Sequence, residues 1–276
     1  MSKAKHRNRH TVNPQSPTVD IKVGVALTAV QRVDNRWNYW RWLKEYVPRL
    51  QGVAAFTRET GVIPTIFIPA GAPSFVRDSL AFFGHTRNVS EWNPGTEVHV
   101  ERMIVPSNRY PERFSRMKFW KEKIIAPSAA AWLHEKAQHA VDQVDIELSP
   151  RVLISRADVG RREIANRGEV EAYLAEHGFV TYELARMSFT EQAALFAQAE
   201  HVVGMTGAGM TNMLFSKDCL FSVIYGDVLA PAFYYLSQCV PVEFNAVVGD
   251  SVASEGVSAL NRNIKLDPRT IEFREV

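Results

Sequence analysis

Cysteine is scarce: Cys219 and Cys239 are the only two in 276 residues. A disulfide-built scaffold is therefore excluded, and reduced thiols in a cytoplasm are the expectation. Both sit in apolar company, which points to inert core thiols. No Cys/His grouping has metal-ligand spacing, so no metal is expected. No run of eighteen apolar residues occurs, which leaves no candidate for a membrane-crossing helix. There is no Gly-Lys-Ser/Thr of a P-loop and no internal repeat.

What is present is ordinary in bulk and uneven in detail. Apolar residues make up 46% and charged residues 22%, which suits one large globular domain or two modest ones and excludes a disordered body. Net charge is only +2, yet Lys3, Lys5, His6, Arg7, Arg9 and His10 crowd the start. Residues 1–20 read as a solvated basic tail, with contact to an anionic polymer or membrane surface as the alternative. The apolar stretch Ile21 to Val30 is too short for a signal peptide and carries Lys22. Nothing besides the tail suggests nucleic acid, and no nucleic-acid partner is expected.

Short apolar runs alternate with amphipathic segments along the chain, the pattern of an α/β protein with parallel sheets. Strands are expected at Val23–Leu27, Ile63–Ile68, Glu97–Val105, Arg151–Ser155, Phe179–Glu183, His201–Gly204, Phe221–Tyr225, Val240–Phe244 and Asn263–Leu266. A helical pattern spans Trp37 to Thr57, with Pro48 expected to kink or divide it. Further helices are expected at Ser74–Phe83, from Ser128 (as N-cap) to about Ala140, from Asn166 (as N-cap) to His177 with Gly178 ending it, after the capping-box pattern Ser188 to Glu191, and near Thr211 to Phe215. A boundary near Asp145 divides two Rossmann-like halves, 21–145 and 146–276, facing one cleft.

Three constellations could carry chemistry. Gly204-Met-Thr206-Gly207-Ala208-Gly209-Met-Thr211-Asn212 is a glycine-rich turn between a strand and a helix, where backbone can approach an anion. Asn212 stands where a dinucleotide fingerprint needs its third glycine, so a nicotinamide cofactor is disfavoured. Close packing at a tight turn also explains such glycines. Ile154-Ser155-Arg156, with Arg161, Arg162 and Asn166, places arginines past a strand's carboxyl end, where their forks suit phosphate. A solvated basic loop reads the same way. Asn38, Tyr39, Trp40, Arg41 and Trp42 could pave a sugar platform, or simply fill core.

Taken together, Pro150-Arg151-Val-Leu-Ile154-Ser155-Arg156, Arg161-Arg162-Glu-Ile-Ala-Asn166, Met187-Ser188-Phe189-Thr-Glu191-Gln192 and Gly207-Ala208-Gly209-Met210-Thr211-Asn212-Met213-Leu214-Phe215 resemble the linked motifs of glycosyltransferase family 61. Arg36 to Leu50 is similar to that family's N-terminal segment. The resemblance implies a GT-B fold, with 21–145 on the acceptor side and 146–276 binding a nucleotide sugar. It implies transfer with inversion, no cofactor and no metal. Its candidate donor residues here are Arg156, Arg161, Arg162, Asn166, Glu191, Thr206, Gly207, Ala208, Gly209, Thr211 and Asn212. Asn38 to Trp42 would meet a glycan or lipid-linked acceptor.

Two positions depart from the family pattern. Thr206 precedes Gly-Ala-Gly and Arg41 precedes Trp42, each where the family usually has histidine. A base for the acceptor proton is still needed, and Asp34, Glu45 and His85 are the candidates in that order. Asp34 should lie in the loop leaving the first strand. A nucleotide-sugar- or glycan-binding protein that kept the fold without catalysis is the alternative.

Overall fold

The computed structural model describes residues 18–28, 37–93, 96–106, 125–156, 162–253 and 255–274. Asp34 and Arg161 lie outside the described residues, as does the tail before residue 18. The α/β expectation is met by two parallel sheets. The first has four strands in the order β3-β2-β1-β4, formed by β1 (Thr18–Thr28), β2 (Thr65–Pro69), β3 (Val89–Trp92) and β4 (Glu97–Ile104). The second has five in the order β6-β5-β7-β8-β9. Its members are β5 (Arg151–Ile154), β6 (Val180–Tyr182), β7 (His201–Met205), β8 (Cys219–Tyr225) and β9 (Val242–Val248). β7 and β8 are buried along their whole length, which is why they read as unbroken apolar runs. A small antiparallel pair, β10 (Asp250–Val252) and β11 (Asn263–Lys265), lies beyond β9.

The Trp37–Thr57 pattern resolves into pieces. Asn38 caps α1 (Tyr39–Arg41) by accepting from the Arg41 N–H at 3.0 Å. A π-helical turn follows at Trp42–Tyr46, then a 3-10 turn at Val47–Arg49, then α2 (Leu50–Thr60). Pro48, which cannot donate an N–H, thus falls where helix type changes. α3 (Ser74–Phe82) and α4 (Pro127–Val141) complete the first half. Proline opens α4 with Ala126 as its N-cap, so Ser128 is inside the helix rather than capping it. In the second half, α5 (Arg167–Glu176) ends before Gly178, whose φ of 79° suits a glycine. α6 (Phe189–Gln198) carries the expected capping box in full, and α7 (Ala232–Ser237) follows β8.

One apolar cluster spans both halves. Phe189 of α6 meets Phe82 at 5.3 Å, Phe83 at 6.4 Å and Phe215 at 5.6 Å between ring centroids. Such pairs add about 0.5–1.5 kcal/mol each beyond the area they bury. The same cluster takes in Leu27, Trp42, Leu133 and Phe221. Cys219 is buried as expected, whereas Cys239 is only half-buried. No helix among the described residues is long and apolar enough to cross a membrane.

At the start of β7 the structure buries a histidine. His201 is 3% exposed, bonds the Ser222 hydroxyl at 2.9 Å and packs edge-on against Phe179. Burial, aided by the charge of Arg151, pulls its pKa from 6.5 to about 4. The unfolded chain therefore binds this proton first as pH falls. Stability that is full above pH 6.5 should drop between there and about pH 4, by about 3 kcal/mol from this group. Urea unfolding at pH 7 and 4.5 should show a smaller acid loss in His201→Gln than in the wild type.

Candidate functional site

β5 continues through α5 to β6 on one side, and β7 then begins on the other side of β5. The order in which strands are added reverses there, and ligands of open α/β sheets bind outside the carboxyl ends of strands at such a point. Ser155 and Arg156 leave β5 and Thr206 and Gly207 leave β7 at this place. Two of the sequence constellations therefore meet by topology.

Side-chain contacts tighten the meeting. The Arg162 Nη1 donates to the Thr206 carbonyl at 3.2 Å. Arg156 lays its guanidinium across the Cα of Gly207, so a Cβ there would fall well inside contact distance of Nη1. Both arginines have a buried Nε. Arg162 adopts φ 52°, a left-handed backbone costing about 1–2 kcal/mol for a residue with a Cβ. Strain of this kind gathers at functional sites. The glycines also serve packing: a Cβ on Gly209 would approach Leu184 Cδ1 at 2.6 Å, and one on Gly204 would approach Ile154 and Met210 at 3.1 Å.

The helix expected after the glycine-rich turn is present as Ala208–Phe215, and it is of the 3-10 type. Thr211 is wholly buried, with its hydroxyl donating to the Ala208 carbonyl at 2.6 Å. Asn212 is wholly buried as well. Its Oδ1 accepts from the Tyr39 hydroxyl at 2.5 Å, and its Nδ2 donates to Gln192 Oε1 at 3.0 Å. Gln192 Nε2 in turn donates to the carbonyls of Leu184 at 2.9 Å and Met187 at 3.2 Å. Burial pushes the Tyr39 hydroxyl pKa far up, with its bond to Asn212 opposing. It remains a neutral donor. This chain of amides was not foreseen from the sequence, although Gln192 stood in the quoted motif.

Other sequence candidates fall elsewhere. Trp42 is wholly buried, stacked on Tyr46 at 5.6 Å and donating from Nε1 to Ser79 Oγ at 2.8 Å. Trp40 is buried against Phe233 at 5.4 Å. Both are core side chains, because their area is claimed by the cluster shared between the halves, and neither offers a face to an acceptor. Asn38 is engaged as a cap, Tyr39 faces Asn212, and Arg41 stands in the last turn of α1. Asn166 lies at the N-cap position of α5 but holds Leu266 instead, donating to its carbonyl at 2.8 Å and accepting from its N–H at 3.0 Å. Glu191 closes the capping box on the Ser188 N–H at 2.7 Å, and that bond lowers its pKa. Glu45 pairs with Lys44 at 3.0 Å. His85 sits past the end of α3 near Asn88, which bonds the Pro64 carbonyl. That is the amino end of β2 and β3, the edge opposite to the one where parallel sheets bind ligands. Burial lowers the His85 pKa.

Among the described residues, no three His, Cys, Asp or Glu side chains gather as metal ligands. The cavity beside Arg156 and Met205 is small, about 20 Å³, whereas one of about 440 Å³ lies between α2 and α4. Asn212→Ala should strand both the Tyr39 hydroxyl and the Gln192 amide, and lower stability by about 2–4 kcal/mol. Tyr39→Phe, which strands one acceptor, should cost about 1–3 kcal/mol. Denaturant midpoints at pH 7 would show that order.

No curated protein matches the chain. Among solved structures, a phosphoglycerate oxidoreductase from Vibrio cholerae o395 aligns over 90% of this chain and 92% of its own, at 13% identity and a TM-score of 0.24. Such a likeness carries no argument about fold or chemistry. The family model of glycosyltransferase 61, in contrast, matches residues 39–221, a span that holds Tyr39, Arg156, Arg162, Gln192 and the glycine turn together. The chain belongs to glycosyltransferase family 61.

Proposed function

We propose that the chain is an inverting glycosyltransferase, moving a sugar from a nucleotide-sugar donor to a glycan, polysaccharide or lipid-linked acceptor. The supporting observation is the convergence of Arg156 and Arg162 on Thr206 and Gly207 at the switch point of the five-stranded sheet. In this reading the donor diphosphate lies against that rim. The two guanidinium groups meet its charge and stabilise it as it leaves, with no cofactor and no metal invoked. Gly207 lets the backbone and Arg156 come close enough to share one anion. Ala208, Gly209, Thr211 and Asn212 belong to the donor side by shaping the turn, and Arg161 adds a third cation to it in this proposal, whereas Asn166 and Glu191, engaged by Leu266 and Ser188, are left out of it. The GT-B division at residue 145 belongs to the same proposal, as does a cytoplasmic place in surface-polysaccharide or protein-glycan assembly. So does contact of the basic tail with the inner membrane face.

The base that takes the acceptor proton is open between Asp34 and Glu45, since His85 lies at the wrong edge of its sheet. Thr206 supports a second reading, a binding protein without catalysis. Its side chain is buried and its carbonyl is held by Arg162, at a place where the family usually has histidine.

Thermal-shift titration with UDP-, GDP- and CMP-sugars tests the proposal. One of them should stabilise the wild type, and Arg156→Ala should weaken that binding by about tenfold to a hundredfold, the worth of charge-assisted bonds. No stabilisation by any nucleotide sugar would sink the transferase reading. Donor hydrolysis or transfer then separates enzyme from binding protein. Gly207→Ala should act mainly on the same binding, because its Cβ displaces the flexible end of Arg156 rather than the core.

A further inference from the structure

The carboxyl edge of the five-stranded sheet carries a charged pair beside the arginine rim. β7 and β8 keep their ladder to the end: Met205 pairs with Ile224, and the Thr206 N–H donates to the Ile224 carbonyl at 3.0 Å. Gly226 and Asp227 follow directly on β8. Adjacent strands lie about 4.8 Å apart, so Asp227 stands about one strand from Gly207, on the side of β7 away from β5. The antiparallel pair β10 and β11 closes on that place. A Cβ on Gly226 would fall 2.5 Å from Ser251 Oγ, and one on Gly249 would fall 2.4 Å from Ile264. The chain entering β11 also runs beside the segment of Arg162: the Arg162 N–H donates to the Asn261 carbonyl at 3.4 Å, and Ile164 bridges Ile264. Arg162, Arg262 and Asp227 therefore share one rim.

The Asp227 carboxylate is held there but not used up. Its backbone N–H donates to Ser251 Oγ at 3.1 Å, and its Oδ2 accepts from Arg262 Nη1 at 3.0 Å. Its Oδ1 accepts from none of the described residues. The Asp227 side chain is 46% exposed and that of Arg262 33%. Arg262 Nε is buried without a partner among the described residues. A carboxylate only accepts, with room for about four hydrogen bonds on its two oxygens. It repels phosphate, so beside a rim that meets a diphosphate it suits a different part of the ligand. Arg262 offsets its charge and keeps it from driving the diphosphate away. Two adjacent hydroxyl groups match the open acceptor sites, and in dinucleotide-binding sheets a carboxylate takes a ribose hydroxyl in this way. On the far side of β5 the comparable acid is Glu183, just past β6, and it pairs with Arg186 of its own turn at 2.7 Å. Asp227 and Arg262 both lie beyond residue 221, outside the span that matches the family.

We propose that Asp227 binds a vicinal diol of the donor and that Arg262 positions it to do so. The assignment rests on the transferase reading and deepens it, because it adds a hydroxyl-reading group to the anion-binding rim. The diol belongs to the ribose of the nucleotide or to the sugar that is transferred, and both present the same pair of donors. In either case the acid sets which donors are accepted, since a group built to bond a hydroxyl rejects a ligand that lacks it. A pair that served only to hold β10 and β11 on the sheet would, when lost, weaken every ligand alike.

Isothermal titration of the full chain decides the matter, with UDP, GDP and CMP, each beside its 2′-deoxy form, and with their sugars. For at least one nucleotide the wild type should prefer the ribo form over the deoxy form, or the nucleotide sugar over the bare nucleotide, by about tenfold or more. Asp227→Ala should bring that ratio down to about one. The ratio that collapses tells ribose from the transferred sugar. Asp227→Asn keeps the size and one acceptor for Arg262, and should retain only part of the ratio. Arg262→Ala should lower the ratio with the acid still in place, whereas Glu183→Ala should leave it unchanged. Each ratio compares two ligands on one protein, so a disturbed hairpin weakens both and leaves the ratio intact. Ratios that survive both Asp227 variants, an equal collapse in Glu183→Ala, or ratios near one throughout the wild type would each overturn the assignment and leave the transferase reading standing. Binding of no nucleotide and no nucleotide sugar would count against that reading itself, and the assignment would fall with it.

Discussion

The buried amide of Asn212 is the interaction on which the arrangement depends. It joins α1 in the first half, the 3-10 helix of the second, and α6 beside them. A wholly buried amide must find partners or cost about 1–3 kcal/mol for each one missing. Here it takes a hydroxyl on one side and another amide on the other, and that second amide is spent on two backbone carbonyls. Apolar packing between Phe82, Phe83, Phe189 and Phe215 holds the halves together but tolerates sliding. Directional bonds in a dry setting do not, so they set the register between the halves.

Packing and chemistry share residues at the glycine turn. Gly207 is small because Arg156 lies on it, and Gly209 because Leu184 does. The first contact belongs to the rim that could hold an anion, the second to the support behind it. Reading every glycine as phosphate-cradling, or every one as packing, would miss this division. α4 ties into the same support, since His134 Nδ1 lies 3.1 Å from the Leu214 carbonyl and Gln138 donates to that of Phe215 at 2.7 Å.

Much of the fold was legible because its signals are local. The capping box at Ser188 and Glu191, the left-handed Gly178 and the buried runs of β7 and β8 each follow from a few neighbouring residues. What was not legible depends on distant partners. Trp40 and Trp42 look alike as core or as a sugar platform until Phe233 and Ser79 are placed beside them. Asn166 looks like a cap until Leu266, a hundred residues on, takes its side chain. β3 was missed because Val89–Trp92 is short and only partly buried, so it lacks a strong pattern. The arginine rim was legible as residue types and order, while the carbonyl that Arg162 holds was not.

The helix type of Ala208–Phe215 bears on the motif itself. A 3-10 helix repeats every three residues, so side chains three apart stand in a single file. Gly209, Asn212 and Phe215 form that file. They meet Leu184, then Gln192, then Phe189 in turn. With a rise of about 2.0 Å per residue against about 1.5 Å in an α-helix, eight residues reach about 16 Å instead of about 12 Å. The spacing Gly-x-x-Asn-x-x-Phe is thus a ruler: it measures the distance from the support behind the rim to the middle of the shared core, and an inserted or deleted residue would put the marks beyond it on the wrong partner.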